Sequence, residues 1–508
     1  MNQWNQRSSF TNTFWLRILF TFIISFSLVY SISDHFPAQQ IKNNTPLDTF
    51  TSHLGQRIPE IMQVYDIPGV NIAIIQNGEI VWLSTFGQAD LDTNRELTID
   101  TYMRVQSISK SVTAWGVLKL VEQGKIELDI PVKKYLNNWQ FPENQFSTDL
   151  ITTRQLLTHT AGMPIGDFYN FYSPEEIIPS LEESLYKEAR LVQEPGLSFS
   201  YSNTGYNLLE LLIEEVTGKP FADYMQQEIL EPLGMHHSSF EWSRQWDPPV
   251  PTGYDLSGNP IPVYVYPEKA SGGLFSTVGD IAKFVIASMP EFSSSQSVLT
   301  TEALHSMHSI KVNRIGVYNL VFDGYGFGHY VENLSDGQVA ISHGGQGTGW
   351  MTHYHSVPGT GDGIVILTNS QRSWPFIAYM LTDWAEWSGL PTLGMSRIIQ
   401  GNNILWSFVG FLWFAIIWEM WDLISLLVTR KNSKLYLTKK SIPERVFRIG
   451  LSIIIFTGLF WSINQDYLFI TSVFPMSAEW VGKSLLIFAI TLFISAFVSG
   501  KHDQPIHP

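Results

Sequence analysis

Three long apolar runs after Gly389 limit how this chain can fold more than any other feature. They cover residues 404–428, 446–463 and 481–499, and each is about long enough to cross a bilayer as a helix. Within lipid, the backbone N–H and C=O groups of a spanning segment must form hydrogen bonds with one another, so apolar runs of this length predict transmembrane helices. Tryptophans lie near the expected membrane interfaces, at Trp406, Trp461 and Trp480. The alternative is three buried helices of a soluble domain.

The loops between these runs predict their orientation. Residues 464–479 contain no lysine or arginine, whereas the loop at 429–445 and its flank are strongly basic. The basic residues are Arg430, Lys431, Lys434, Lys439, Lys440, Arg445 and Arg448. Because positively charged loops stay on the cytoplasmic side, the loop at 429–445 is predicted to be cytoplasmic. The chain before the first run is then extracytoplasmic, and the tail after residue 500 is cytoplasmic. Glu419 and Asp422 share a helix face, which predicts either a polar site within a helix bundle, or a location in a helix–helix contact or near the inner interface.

The N-terminus also predicts export. Arg7 and Arg17 precede the apolar segment 18–32, so residues 1–33 are either a cleaved signal peptide or a retained N-terminal anchor. Residues 34–46 are mostly polar and are predicted to be a linker. The chain has no cysteine, so the large domain at 47–390 would fold without disulfides. A formal net charge of −15 argues against a nucleic-acid partner, which leaves a substrate and the lipid bilayer as expected partners.

Hairpin patterns at both ends of the large domain indicate its fold. Two β-branched runs within 70–84 flank Asn77-Gly78, the strongest short hairpin signal, and a second hairpin pattern covers 339–369. Helical patterns lie between them, and further helices are expected within Phe50–Tyr65 and over Trp374–Trp387. These patterns predict an α/β (α+β) fold, in which an antiparallel sheet is flanked by helices and joined to a mostly helical lobe.

Three short motifs carry the candidate chemistry. They are Ser107-Ile108-Ser109-Lys110, Tyr201-Ser202-Asn203 and His343-Gly344-Gly345. Ser107 is expected where the chain leaves the sheet and enters a buried helix, with Lys110 one turn later on the same face. A desolvated lysine can lose its charge and take the proton of a serine nucleophile. The similar spacing of Ser184 and Lys187 occurs in a run that reads as a solvated helix, where the lysine would stay protonated.

The second and third motifs suit substrate binding and proton transfer. A tyrosine hydroxyl such as that of Tyr201 can relay a proton to a leaving group, and the Asn203 amide can hold a lysine or a substrate carbonyl. Gly344 and Gly345 at a strand edge would leave room for a substrate backbone to pair beside the strand. A peptide-like substrate is therefore expected.

Residues 46–390 resemble the serine β-lactamase and penicillin-recognising D,D-peptidase superfamily, and within it the class C β-lactamase branch. The stretches 156–164, 121–126, 271–277 and 363–369 share this resemblance with the three motifs. The resemblance implies that Ser107 is the acylated nucleophile, Lys110 its proton acceptor and Tyr201 the proton shuttle. It also implies an oxyanion hole formed by the backbone N–H groups of Ser107 and Gln346. The implied substrate-binding residues are Asn203, His343, Gly344, Gly345 and Gln346, and neither a cofactor nor a metal is predicted.

The third motif departs from that branch. Its members usually carry Lys-Thr-Gly there, whereas this chain has His343 and Gly344, so a fixed charge and a hydroxyl are replaced. The His343 ring would carry a conditional charge, or only its backbone would line the site. The sequence predicts a membrane-anchored extracytoplasmic serine hydrolase, a D,D-peptidase or D-amino-acid peptidase acting on cell-wall peptides. The alternatives are an esterase or β-lactamase with the same site, or a ligand-sensing module that signals to the membrane helices.

Overall fold

The structure is a computed structural model that describes residues 2–34, 36, 41–43, 45–167, 170–292, 296–429, 442–465 and 468–497. The helices are α1 Asn2–Ile32, α2 Leu47–Tyr65, α3 Ile108–Glu122, α4 Thr153–Leu157, α5 Leu181–Glu188, α6 Asn203–Thr217, α7 Phe221–Met225, α8 Val278–Ala287, α9 Thr301–His308, α10 Trp374–Ser388, α11 Ser396–Thr429, α12 Ile442–Ile463, α13 Phe469–Val473 and α14 Pro475–Phe497. The strands are β1 Gly69–Gln76, β2 Glu79–Asp90, β3 Arg95–Glu96, β4 Met103–Arg104, β5 Ser238–Ser239, β6 Gly253–Tyr254, β7 Pro260–Ile261, β8 Phe275–Ser276, β9 Gly324–Tyr325, β10 Tyr330–Asn333, β11 Val339–Gly347, β12 Trp350–Val357 and β13 Asp362–Thr368. The chain forms two compact units, Gln39–Arg397 and the two end segments Met1–Ala38 with Ile398–Pro508.

An eight-stranded antiparallel sheet organises the unit Gln39–Arg397. Its strand order is β3-β2-β1-β13-β12-β11-β10-β9, so the first and last strands of the unit meet at β1 and β13. Asn77 and Gly78 connect β1 to β2 with φ values of 52° and 74°, the left-handed pair that a type I′ hairpin turn requires. The predicted α+β fold, with one antiparallel sheet built from both ends of the domain, is confirmed.

Helices pack around this sheet. Helix α2 contains Pro59, and its Arg57 forms a buried ion pair with Asp383 of α10 at 2.5 Å between Nε and Oδ2. The sequence between the two ends of the sheet supplies the helical lobe, with α3 at its centre. Nearly every position of α3 is buried, which is the pattern of a helix surrounded by protein on all sides.

The unit formed by the two ends of the chain contains α1 and α11 to α14. Among the described residues, four helical segments are long and apolar enough to cross a membrane: Trp15–Ile32, Ser396–Ile424, Ile442–Ile463 and Pro475–Phe497. Helix α11 begins eight residues before the predicted start at residue 404, because the polar turn around Asn402 and Asn403 continues the helix. The basic stretch 430–441 and the tail 498–508 lie outside the described residues.

Polar side chains join the helices of this unit. Arg448 of α12 pairs with Glu419 of α11 at 2.8 Å, and Arg17 of α1 pairs with Asp422 at 2.8 Å. Glu419 and Asp422 therefore lie in helix–helix contacts, which is one of the two alternatives that their spacing left open.

One expectation for the helical lobe is wrong. Helix α5 was expected to be solvated around Ser184, but the Ser184 side chain is 2% exposed and donates a hydrogen bond to the carboxylate of Glu268. Lys187, three residues later, is exposed, and among the described residues it makes no hydrogen bond with Ser184. Ser184 is therefore a buried hydrogen-bond donor.

Candidate active site

Ser107 and Lys110 meet at the start of α3. Ser107 is the residue before the helix, so its side chain projects from the helix end, and Lys110 follows within the first turn. Lys110 Nζ lies 3.1 Å from Ser107 Oγ, 2.7 Å from Asn203 Oδ1 and 2.7 Å from the carbonyl oxygen of Ser271. The structure thus brings together the first two predicted motifs and adds Ser271, whose role the sequence analysis did not identify.

The three contacts of Lys110 can be made by an ammonium, with Nζ also donating to Ser107 Oγ, or by a neutral amine that accepts from Ser107. Asn203 Oδ1 and the Ser271 carbonyl can only accept hydrogen bonds, so together they use both N–H donors of a neutral amine. The lone pair is then available for the Ser107 hydroxyl. Burial lowers the pKa of Lys110 well below its usual range, because the side chain is completely enclosed. The arrangement can therefore accept a proton from Ser107.

Tyr201 lies on the other side of the same lysine. Its ring centroid is 5.1 Å from Lys110 Nζ, and its hydroxyl hydrogen-bonds to the side chain of Ser107. Burial raises the pKa of Tyr201 above its usual range, and the hydrogen bond to Ser107 offsets this only in part. The tyrosine is therefore a neutral hydroxyl that can both accept and donate a hydrogen bond beside Ser107.

Two strained residues hold these motifs in place. Gln106 and His159 have φ values of 53° and 56°, in a region that residues other than glycine seldom occupy. Gln106 immediately precedes Ser107 and donates from Nε2 to the Tyr264 hydroxyl at 3.1 Å. His159 Nδ1 accepts a hydrogen bond from the backbone N–H of Ser202 at 3.1 Å, and its carbonyl accepts one from Ser200. His159 therefore fixes the Tyr201–Asn203 segment from behind.

The side chain of His343 points away from the cleft into the protein. It is 1% exposed, its Nε2 lies 3.2 Å from the Tyr325 hydroxyl, and its Nδ1 lies 2.8 Å from the Gly344 carbonyl oxygen. Since the carbonyl can only accept, Nδ1 carries the hydrogen and Nε2 accepts from Tyr325. Burial lowers the pKa of His343 to about 3. The ring is neutral near pH 7 and presents no charge to a substrate.

The glycines after His343 are explained by close packing. A Cβ atom on Gly344 would lie 2.3 Å from the Trp374 ring, and one on Gly345 would lie 2.2 Å from both the Val105 carbonyl oxygen and Thr352 Oγ1. These contacts are on the faces of β11, so they add a reason for glycine that the sequence analysis did not give.

The edge of β11 that carries the third motif is open. Strand β10 pairs only with Val339–Ser342 of β11, so the described residues place no strand beside His343–Gly347 on that side. Gln346, in the open part, lines a cleft together with Ser107, and its Oε1 accepts a hydrogen bond from Trp374 Nε1 at 2.9 Å. An extended chain could pair with this edge next to the nucleophile.

The cleft beside Ser107 is narrow and rich in acceptors. Its described lining consists of Gln106, Ser107, Gly166, Asp167, Glu188, Asn203, Asn207, Tyr266, Glu268, Ser271, Gly272 and Gln346. Three of these are carboxylates, and none is a lysine, arginine or histidine. No group of three or more histidine, aspartate or glutamate side chains with a geometry suited to a metal ion occurs in the described part of the chain. Glu188, Asn207 and Glu268 were missed because no motif connects them with Ser107.

The order of these elements, a serine–lysine pair at a helix start beside an antiparallel sheet, can be compared with known families. Residues 54–382, more than half of the chain, match the model of the family described as Beta-lactamase. The chain belongs to the Beta-lactamase family. It is therefore related to β-lactamases and penicillin-binding proteins, and the family resemblance predicted from the motifs is confirmed.

Individual relatives agree with this assignment. Protein flp of Staphylococcus aureus (strain COL) is 30% identical over 213 residues, which are 41% of this chain and 41% of that protein. PbpX of Bacillus subtilis (strain 168) is 31% identical over 235 residues, which are 45% of this chain and 57% of that protein. The matches thus span less than two thirds of the length of either relative.

Solved structures share the fold. The octameric penicillin-binding protein homologue from Pyrococcus abyssi is 28% identical, with a TM-score of 0.58 over 70% of this chain and 81% of its own. A class C beta-lactamase, 22% identical, has a TM-score of 0.54 over 68% of this chain and 97% of its own. The second likeness concerns the fold alone.

Proposed function

We propose that this β-lactamase-family hydrolase forms an acyl-enzyme on Ser107 and acts as a D,D-peptidase or D-amino-acid peptidase on cell-wall peptides. The observation that carries the proposal is the set of contacts around Lys110, which leaves its lone pair for the Ser107 hydroxyl. The open edge of β11 supports an extended peptide as substrate, because such a chain can pair there beside Ser107.

The reaction would proceed in two steps at this site. Ser107 Oγ attacks the substrate carbonyl while its proton passes to Lys110, and the backbone N–H groups of Ser107 and Gln346 stabilise the negative oxygen. Tyr201 then gives its hydroxyl proton to the leaving group and takes up the proton held by Lys110, while the bond between carbonyl carbon and leaving group breaks. Water attacks the resulting ester through the same groups in reverse, which releases the acid and restores the Ser107 hydroxyl.

A second candidate is an esterase that uses the same residues. The cleft has no cation to receive a substrate carboxylate, because its described lining contains no lysine, arginine or histidine and the His343 ring is buried. A neutral ester would not need such a cation. Hydrolysis of β-lactam antibiotics is less well supported for the same reason.

Release of D-alanine distinguishes the two candidates. The full-length chain in mild detergent would be incubated with diacetyl-L-lysyl-D-alanyl-D-alanine and, separately, with p-nitrophenyl acetate. D-Alanine release that is lost in Ser107→Ala and kept in Ser184→Ala supports the peptidase. Turnover of the ester without D-alanine release supports the esterase, and unchanged activity in Ser107→Ala would contradict both.

We propose in addition that the enzyme is held at a membrane by four helices, with the catalytic unit extracytoplasmic. The supporting observation for α1 as a retained anchor is Arg17, which forms an ion pair with Asp422 of α11 at 2.8 Å. Arg17 of α1 also stacks on the Trp418 ring at 3.8 Å. Cleavage after residue 33 would remove Arg17 and its contacts. The chain recovered from membranes should therefore have an N-terminal peptide that begins before residue 33.

A further inference from the structure

The cleft beside Ser107 has an acceptor-rich wall formed by Glu188, Glu268 and Asn207. Glu188 ends α5, Glu268 precedes the Ser271 segment that binds Lys110, and Asn207 lies one turn after Asn203 on the same face of α6. All three line the cleft that contains Ser107. The wall therefore belongs to the space that a substrate would enter.

Asn207 has an acceptor without a partner. Its side chain is 4% exposed, and its Oδ1 has no hydrogen-bond partner among the described residues. A buried carbonyl oxygen of this kind lowers stability unless a donor reaches it. The atom is thus suited to a hydrogen-bond donor supplied by a ligand.

The two carboxylates have donors but no cation. Glu188 accepts from Thr204 Oγ1 at 3.2 Å and from the backbone N–H of Asp167 at 3.4 Å, and Glu268 accepts from Ser184 Oγ. In the described part of the chain neither is within ion-pairing distance of a lysine, arginine or histidine. Glu268 is only 5% exposed, and carboxylates buried to this extent are normally paired with a positive charge.

Electrostatics favour the addition of a positive charge. Burial and, to a smaller extent, the neighbouring Glu268 carboxylate raise the pKa of Glu188 to about 7. Burial also raises the pKa of Glu268, with Asp167 as a second cause. A cation in the cleft would relieve this repulsion and stabilise the ionised carboxylates.

We propose that Glu188, Glu268 and Asn207 form a subsite that binds a primary ammonium group of the substrate. An ammonium has three N–H donors and one positive charge, which matches one orphaned carbonyl oxygen and two unpaired carboxylates. The inference rests on the proposed acyl-enzyme at Ser107 and adds a substrate class to it, acyl donors that carry a free amine. Glu188, Glu268 and Asn207 would then decide specificity without taking part in the bond changes.

Matched substrates test this subsite in the full-length chain. The free-amine substrates are D-alanine p-nitroanilide and Nα-acetyl-D-lysine p-nitroanilide, and each is compared at pH 7 with the derivative in which that amine is acetylated. One charge-assisted hydrogen bond is worth about 1.5–3 kcal/mol, so kcat/KM should favour at least one free amine by about tenfold or more. Equal kcat/KM values for both pairs would overturn the subsite.

Variants separate the subsite from the nucleophile. Glu188→Gln and Glu268→Gln should each bring the ratio of kcat/KM for the free amine to kcat/KM for its acetylated derivative toward unity. Glu183→Gln, on the exposed face of the same helix, should keep the full preference. A preference that survives both cleft variants would contradict the proposal. A wild-type chain that released neither D-alanine from the diacetyl peptide nor p-nitrophenol from the ester would instead refute the acyl-enzyme at Ser107, and the subsite with it.

Discussion

The Tyr325 hydroxyl lies 3.2 Å from Nε2 of His343 and 3.2 Å from Nε2 of His159. Because Nδ1 of His159 accepts from Ser202, its Nε2 must carry the hydrogen and donate to Tyr325. Tyr325 in turn donates to His343, whose Nδ1 donates to the Gly344 carbonyl. One ordered set of hydrogen bonds therefore connects the second and third motifs behind Lys110.

This connection predicts coupled losses of stability. His343→Leu should leave the buried Tyr325 hydroxyl without its acceptor and lower the free energy of unfolding by about 1–3 kcal/mol. Tyr325→Phe removes the donor of the same bond, so the double variant should cost less than the sum of the two single variants. Thermal unfolding of the full-length chain in detergent measures both. Additive losses would show that the two side chains do not depend on each other.

The Tyr201 hydroxyl is predicted to matter for rate and little for folding. Tyr201→Phe keeps the ring beside Lys110 and removes only the hydrogen bond to Ser107. Since a positioned proton donor contributes about 10²–10⁴-fold, kcat should fall within that range at an unchanged melting temperature. Tyr186→Phe, at an exposed position of α5, serves as the matched control. An unchanged kcat in Tyr201→Phe would show that Tyr201 is not the proton shuttle.

Asn203→Asp tests the protonation state of Lys110. The new carboxylate would lie where Asn203 Oδ1 now lies, 2.7 Å from Nζ, and an opposite charge raises the pKa of a lysine. Activity requires the neutral amine, so the acid limb of kcat/KM against pH should move upward by about one pH unit or more. Ser107, Ser271, Tyr201 and Tyr206 are the other groups that face Nζ. If the acid limb of kcat/KM against pH did not move in Asn203→Asp, Lys110 would not be the base.

The ammonium subsite predicts a pH-dependent preference. Glu188 faces Glu268, Asp167 and Thr204, and its pKa is raised to about 7 by burial and by Glu268. It is protonated below that pH and charged above it, so the preference for Nα-acetyl-D-lysine p-nitroanilide over its diacetyl form should increase as pH rises from 6 to 8. The lysine side chain stays protonated in this range, since its usual pKa is about 10.4. In Glu188→Gln this increase should flatten, and an equally steep increase there would assign the titration to another group.

The sequence predicts the fold well where local signals are strong. Asn77-Gly78 specifies a hairpin by itself because both residues tolerate positive φ. The helix after Ser107 follows from the apolar spacing up to Gly124, so the placement of Ser107 and Lys110 could be predicted as well. The hairpin patterns at both ends of the domain also predicted one antiparallel sheet built from both ends, whereas the strand order, with β1 beside β13, comes from the structure.

The rest of the site depends on tertiary contacts. Ser271 contributes only a backbone oxygen, which any residue could supply, so its contact with Lys110 has no side-chain signal. The burial of His343 depends on Tyr325, and that of Ser184 depends on Glu268, at positions far away in the sequence. The roles of Gln346, Gly344 and Gly345 in substrate binding stay predictions.

The central claim is that Lys110 activates Ser107 as the nucleophile. The most direct measurement is labelling of the full-length chain in detergent with a fluorophosphonate, which reacts with activated serine hydroxyls, followed by tandem mass spectrometry of the labelled peptide. We predict label on Ser107 within residues 105–110, no label on the buried Ser109, loss of label in Lys110→Met and retention in Ser184→Ala. Label on Ser184 or Ser109, or equal labelling of Ser107 in Lys110→Met, would contradict the account.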